Sequence, residues 1–346
     1  ASSSLSSPIL PAQHMQHPFR PSDQVRATLR AMNEASVLGK PFFFVLDFEL
    51  QEALFFLDPI RQHDGSIFFD FPSARTPEPP GRKRPISLTP RPEPLERYQE
   101  RFRIIHDGLM RGDSFLTNLT LRTPIETEAS LEDIYCSSSA TYRVLLPHRF
   151  VSFSPERFVT LRGSELTTHP MKGTIDARLP DAAGRLRGDY KEGCEHHTIV
   201  DLMRNDLSRV SAEVHVRRFK YLTELHTTSG PLLQMSSEIV GQIDRSQDLA
   251  LGDLLLELLP AGSISGAPKC RTVELIQEAE GVPRGFYTGV CGYFDGEALD
   301  SAVLIRFIEE TPTGELFYRS GGGVTINSLC QDEYHECLQK IYIPQS

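Results

Sequence analysis

Apolar residues gather in short runs along this chain, and the spacing within each run predicts what it becomes. Phe42–Leu46 and the run at 66–69 have almost no polar interruption and predict strands buried on both faces. Leu95, Phe102, Ile105 and Leu109 recur at helical spacing and predict a helix over 95–111. Residues 115–121 alternate as a half-buried strand does, and Tyr142–Leu146, 150–153 and Arg157–Arg162 predict further short strands. Helices are predicted over 195–207, over 249–259 with Asp248 as a cap, over 268–280 with Pro268 in the first turn and Gly281 as the stop, and over 331–343. Strands are predicted over 286–294 and 301–309. Helices and strands interleave without regular βαβ spacing and without a repeat, which favours an α+β architecture of complex sheets.

Between 72 and 94 the pattern stops. Pro72, Pro77, Pro79, Pro80, Pro85, Pro90, Pro92 and Pro94 exclude helix and central strand, leaving an extended connector. Its Arg75, Arg82, Lys83, Arg84 and Arg91 read as a solvated loop before they read as a binding site. The organisation expected is a disordered lead at 1–17, an N-terminal region at 18–94 ending in the connector, and a catalytic region at 95–346, the last two forming one continuous domain.

Composition is that of a soluble globular protein, 39% hydrophobic and 24% charged. No apolar run approaches the roughly 20 residues of a membrane helix, and residues 1–7 lack the basic and apolar parts of a secretory signal. No membrane partner and a cytoplasmic location are expected. The six cysteines are scattered with no Cys-x-x-Cys, as reduced thiols would be. A net charge of −10 argues against a nucleic-acid partner. It also means that an anionic substrate needs local cations, either basic side chains or a bound metal.

Chemistry concentrates in a few segments. Lys172 lies in Pro170-Met171-Lys172-Gly173-Thr174, and only seven of the 36 basic residues are lysine. Desolvation or a nearby cation would free its amine for attack, while the plain reading is a surface lysine or an anion contact. Glu192/Glu195 and Glu333/Glu336 are two pairs at i,i+3 spacing, which on a helix share one face. Two such faces meeting need a cation between them, and Mg²⁺ suits hard oxygen donors; solvated helix surface is the alternative. Gly321-Gly322-Gly323 and the 261–269 segment, which leads into a helix N-terminus, allow backbone amides to approach an anion, or simply make tight turns. The Gly-x-x-x-x-Gly-Lys-Ser/Thr order of a phosphate loop is absent. Arg306 interrupts an apolar strand, where it needs a carboxylate partner or a solvent-facing edge. Tyr287 reads first as core. Glu156, bordering a strand, is either a protonated general acid in a partly apolar pocket or half of an ion pair.

Taken together, SPERF at 154–158, PMKGT at 170–174, the EHHTIVDLMRND run at 195–206, AGSISGAPK at 261–269, RGFYTGVCGYF at 284–294, the strand ending in Arg306, GGGV at 321–324 and EYHECLQK at 333–340 resemble the chorismate-utilising enzymes. These include anthranilate, aminodeoxychorismate, isochorismate and salicylate synthases. The segments appear in the family's order over residues 112–343. The resemblance implies an anthranilate-synthase-like sandwich of two large sheets flanked by helices, with the active site in the cleft between them. It implies Mg²⁺ on Glu195 and Glu336, with Glu192 and Glu333 assisting. Arg306, Tyr287 and the amides of Gly322 and Gly323 would hold the enolpyruvyl carboxylate of chorismate, with Lys340 near the carboxylate–metal region. Gly173, Thr174 and Ser263 would line the ring pocket, and Gln234 would reach a substrate hydroxyl.

Lys172 is what separates the branches of the family. Anthranilate synthases carry alanine there, whereas lysine resembles aminodeoxychorismate synthase component I. That branch implies covalent capture at ring C2 by Lys172, loss of the 4-hydroxyl protonated by Glu156, and ammonia from a separate glutamine amidotransferase subunit. No nucleophile elbow of the glutaminase type is seen in this chain. Leu116 stands where isochorismate and salicylate synthases have a water-activating lysine, and leucine is no base. Two positions depart from the family: Gln234 replaces a usual histidine, and Leu116 replaces the glutamine common in amino-transferring members. Leu46-Asp47-Phe48-Glu49 is the nearest copy of the tryptophan-binding segment of anthranilate synthases. Anthranilate synthase component I, or a catalytically inactive chorismate-binding homologue, is the alternative.

Overall fold

A computed structural model describes residues 17–227, 230–246 and 248–345. The lead at 1–17 lies outside the described residues except for His17, whose ring nitrogens lie 2.7 Å from the Phe19 carbonyl and 3.2 Å from the Leu256 carbonyl.

The strands are β1 (Phe42–Leu46), β2 (Ala53–Leu57), β3 (Phe68–Asp70), β4 (Thr89–Pro90), β5 (Leu116–Glu126), β6 (Tyr142–Leu146), β7 (Phe150–Ser154), β8 (Arg157–Arg162), β9 (Glu165–Thr168), β10 (Met171–Asp176), β11 (Ala212–Thr227), β12 (Gly230–Gln242), β13 (Gly266–Ala267), β14 (Val290–Phe294), β15 (Leu299–Val303), β16 (Phe307–Glu310) and β17 (Leu316–Val324). The helices are α1 (Asp23–Val37), α2 (Leu95–Met110), α3 (Leu131–Ser137), α4 (Ala182–Gly188), α5 (Tyr190–Ser208), α6 (Leu251–Leu258), α7 (Lys269–Glu280) and α8 (Cys330–Gln339).

Among the described residues the strands form two antiparallel sheets. One has nine strands, ordered β10-β12-β9-β8-β15-β14-β1-β2, with β11 on the other edge of β12. The other has eight, ordered β13-β5-β17-β16-β7-β6-β3, with β4 on β5. The fold is α+β, two sheets flanked by helices.

Strand β1 explains why its residues form an unbroken apolar run. All five are fully buried. Phe43 and Val45 point into the space between the sheets, against Phe69, Tyr142, Phe150 and Phe307. Phe42, Phe44 and Leu46 point the other way, into a cluster with Val25, Leu29, Leu251 and Leu255 of α1 and α6. Two buried faces leave no polar position to alternate. Each such side chain contributes about 1.5–3 kcal/mol by burial. On the outer side of the second sheet, α3 covers one half and α2, α7 and α8 the other.

Several elements differ from the sequence expectation. The helix expected at 195–207 begins at Tyr190, capped by Asp189, whose side chain accepts the Glu192 amide at 2.9 Å. The helix expected at 249–259 covers Leu251–Leu258 with Ala250 at its cap position, so Asp248 does not cap it. The strand expected at 301–309 is two strands belonging to different sheets, β15 and β16, joined through 304–306. Arg306 has φ +51° at this joint. It is therefore not a residue within a strand; the chain crosses from one sheet to the other at its position. The connector at 72–94 forms only the two-residue strand β4; Arg84 and Arg91 pair with Asp133 and Glu126 at 2.8 Å, and Ile86 and Leu88 pack against the cluster under α3.

Candidate active site

Lys172 is placed by a local irregularity. β10 pairs with β12 in two registers, shifting between Met171 and Thr174, and Gly173 in the gap has φ +80°. A bulge of this kind re-aims a side chain, and glycine takes the positive φ without strain. The Lys172 Nζ lies 3.7 Å from Glu195 Oε2, with the lysine side chain 21% exposed. A Cβ built on Gly173 would come within 2.9 Å of Leu186 and 3.2 Å of Glu192 Oε2, so both glutamates of the α5 pair lie against the Lys172–Gly173 backbone or side chain.

The glycines of β17 lie between the two acidic pairs. A Cβ on Gly323 would stand 3.4 Å from Lys172 Nζ, 3.7 Å from Glu195 Oε2 and 3.1 Å from Leu116 Cδ1. A Cβ on Gly322 would stand 3.6 Å from both Glu333 Oε2 and Glu336 Oε1, and 3.8 Å from Lys340 Nζ. Neighbouring strand residues face opposite ways, so each glycine clears room for a different group. Glu336 and Lys340 pair at 2.8 Å, and Lys340 also donates to the Gly321 carbonyl at 2.8 Å. Glu195 and Glu333 are buried.

Hard oxygen donors around a backbone without side chains suit a divalent cation such as Mg²⁺. Among the described residues no three His, Cys, Asp or Glu side chains converge into a metal site. Mg²⁺ commonly takes one or two carboxylates and completes its shell with substrate and water; the carboxylates that could hold it are Glu195, beside Gly323, and Glu336, beside Gly322.

Glu156 follows β7, its amide donating to Ser154 Oγ at 3.1 Å and its carbonyl accepting from the Val303 amide. The Ser263 hydroxyl, in a 3-10 turn at Gly262–Ile264, donates to Glu156 Oε1. Burial pushes the Glu156 carboxyl up; the Ser263 hydrogen bond and the charges of Lys172, Arg306 and Lys340 pull the other way. Burial is the largest of these influences, and a carboxyl group shifted upward is what a general acid needs.

The remaining candidates take varied places. Arg306 is half-buried, its guanidinium 5.7 Å from the centre of the Tyr342 ring. Tyr287 is buried in the inter-sheet core, 5.8 Å from the Phe307 ring and beneath the Arg319 guanidinium at 4.9 Å. Gln234, in β12, stands opposite Thr174 on one side and Thr223 on the other; Thr174 is exposed, so this pair lies toward the outside of the group.

Sequence reasoning passed over His196 and the Asp206–Lys269 pair. His196, beside Glu195 on α5, is fully buried and its Nε2 lies 2.7 Å from Ser237 Oγ. Burial first, then the charges of Lys220, His197 and Lys172, lower its imidazole to about 4, so it is neutral at neutral pH. The signal available was an imidazole on the inward face of a helix that carries an active-site carboxylate.

Comparison with known proteins identifies the fold and the family. The solved structure of anthranilate synthase component I from Streptococcus pneumoniae superposes with a TM-score of 0.63 and 27% identity, over 74% of this chain and 59% of that one. The two-sheet architecture is therefore that of the chorismate-utilising synthases. The family described as chorismate binding enzyme matches residues 48–345, and the chain belongs to it. An uncharacterized PabA-like protein of Haemophilus influenzae is 45% identical over 90% of this chain and 96% of its own length. Aminodeoxychorismate synthase component 1 of Escherichia coli is 34% identical over 71% of this chain; the matched part is 56% of that protein's length.

Proposed function

We propose that this enzyme converts chorismate and ammonia into 4-amino-4-deoxychorismate, the precursor of 4-aminobenzoate and folate. The observation that carries the reading is Lys172, set on a glycine bulge and directed at Gly323 and Glu195. The similarity to aminodeoxychorismate synthase component 1 supports it.

In this reading the Lys172 amine adds at ring C2, both ring double bonds shift by one position, and the C4–O bond breaks. Glu156 gives the departing hydroxyl its proton, so it leaves as water. Ammonia then adds at C4, the C2–N bond to Lys172 breaks, and the lysine is regenerated. Net, chorismate and ammonia become 4-amino-4-deoxychorismate and water. Arg306, Tyr287 and the amides of Gly322 and Gly323 orient the enolpyruvyl carboxylate, and Gly173, Thr174, Ser263 and Gln234 border the ring. Mg²⁺ on Glu195 and Glu336, with Glu192 and Glu333 assisting, would supply a cationic anchor for the ring carboxylate. Ammonia comes from a separate glutamine amidotransferase subunit, in the cytoplasm.

The test is product analysis by chromatography and mass spectrometry after incubation with chorismate, ammonium salt and Mg²⁺. The reading expects 4-amino-4-deoxychorismate. Anthranilate as the product, or no consumption of chorismate, overturns it.

A further inference from the structure

Two buried charges in this fold sit where local electrostatics oppose them. Asp206 lies in the last turn of α5, where the helix dipole disfavours an anion. Lys269 is the first residue of α7, where the dipole disfavours a cation. Both are desolvated: their side chains are 11% and 8% exposed. Burial pushes the Asp206 carboxyl up and the Lys269 amine down, and only their mutual attraction opposes it to any large extent. They meet at 2.7 Å, and Lys269 also donates to the Leu258 carbonyl at 2.7 Å. Apolar residues of similar volume commonly serve stability as well as a buried ion pair does. Stability alone therefore gives little reason for this one.

What the pair does accomplish is geometric. It ties the end of α5 to the end of α6 and the start of α7. The segment 261–268 is strung between those points. Gly262 lies directly against the pair, since a Cβ there would stand 3.3 Å from Asp206 Oδ2. The next residue, Ser263, donates to Glu156. A second ion pair, Arg209 with Glu257 at 2.7 Å, also joins the C-terminal end of α5 to α6 but involves neither Lys269 nor a residue of 261–268.

We propose that Asp206 and Lys269 are positioning residues that hold Ser263 on the Glu156 carboxyl and fix that acid against the glutamates of α5. Neither touches the reacting atoms. This inference rests on the role given to Glu156 above.

The experiment uses the full chain with both charges replaced, Asp206→Leu with Lys269→Met, alone and combined with Ser263→Ala. The double variant should fold, with circular dichroism like the wild type. Its kcat for chorismate consumption should fall by about tenfold or more while KM changes by less than about threefold, and adding Ser263→Ala should cost little more, as expected of residues acting as one unit. Amide hydrogen exchange over 261–265 should quicken, because the amides of Ile264 and Ser265 make only long bonds, 3.4 Å, to Ala261 and Gly262. Wild-type kcat, a loss that adds in full to that of Ser263→Ala, or unchanged exchange in this segment overturns the proposal. The exchange measurement needs no substrate. If the wild type consumes no chorismate, the functional reading fails while exchange still decides the positioning role. Should the double variant fail to fold, Asp206→Asn, which keeps the shape and removes the charge, is read in the same way.

Discussion

Lys172 Nζ stands 3.7 Å from Glu195 Oε2, and both lie against the position a Cβ of Gly323 would take. Lys172, the α5 glutamates and the glycine strand therefore form one small region, built from β10, α5 and β17. The chain segments that supply them are far apart in sequence.

Lys172 is expected to form a covalent adduct with chorismate when ammonia is withheld, seen as a mass increase on that residue. Lys172→Ala should lose the adduct and reduce product formation by several orders of magnitude. Lys172→Arg should not rescue, because a guanidinium stays protonated. Near-normal turnover by the arginine variant would remove the nucleophile role.

Metal dependence is read with chelator and with the carboxylates. Excess chelator should abolish turnover, and Mg²⁺ should restore it. Glu195→Gln and Glu336→Gln should each lose most activity with the circular dichroism spectrum intact. Full turnover in chelator sinks the metal assignment.

Gly173→Ala should both destabilise and inactivate. The residue has φ +80°, and the added Cβ would meet Leu186 at 2.9 Å and Glu192 at 3.2 Å. Backbone strain of this kind costs about 1–3 kcal/mol. Gly323→Ala has no such strain, its tightest contact being 3.1 Å to the end of the Leu116 side chain, and should lose far more turnover than stability, because its Cβ takes the space beside Lys172 Nζ, 3.4 Å away. A Gly323→Ala enzyme of normal kcat argues that substrate does not approach this glycine.

Stability should depend on pH through Asp47. Burial first, with the charges of Glu49 and Glu52, raises its carboxyl from 3.8 to about 7. A raised carboxyl means the folded state binds more protons than the unfolded one between those values. Stability is therefore highest below about pH 4 for this group and falls as pH rises to about 7, by up to a few kcal/mol. Asp47→Asn should flatten urea-unfolding free energies across that window. The variant showing the same slope as wild type would count against it.

Breaking the Arg284–Glu280 pair should destabilise the whole domain. The pair is 2.7 Å apart with side chains 1% and 5% exposed. Arg284 also donates to the Ile264 and Asn118 carbonyls at 2.8 Å. Arg284→Met leaves a buried carboxylate uncompensated, which costs about 3–5 kcal/mol. Thermal unfolding lower by several degrees is expected; an unchanged melting temperature refutes the account.

Much of this protein is legible in the chain because it is local. β1, β6 and β8 have the bounds the sequence predicts, and β1, buried on both faces, is unbroken apolar sequence. Lys172, Glu156 and the glutamate pairs stand out because the segments that carry them follow the order of the chorismate-utilising family. The long hairpin of β11 and β12 was not legible: its residues include Arg217, Arg218 and Glu238, which satisfy one another across strands rather than along the chain. Arg306 was misplaced inside a strand for the same reason. Its neighbours Val303, Leu304, Ile305 and Phe307 are uniformly apolar, and only the passage from one sheet to the other imposes φ +51° there. The chain by itself supplies the candidate side chains and the family they belong to. Which carboxylate faces Lys172, which faces Lys340, and what holds Ser263 to Glu156 are decided by tertiary packing, because each is a contact between segments whose separation in sequence encodes no direction in space.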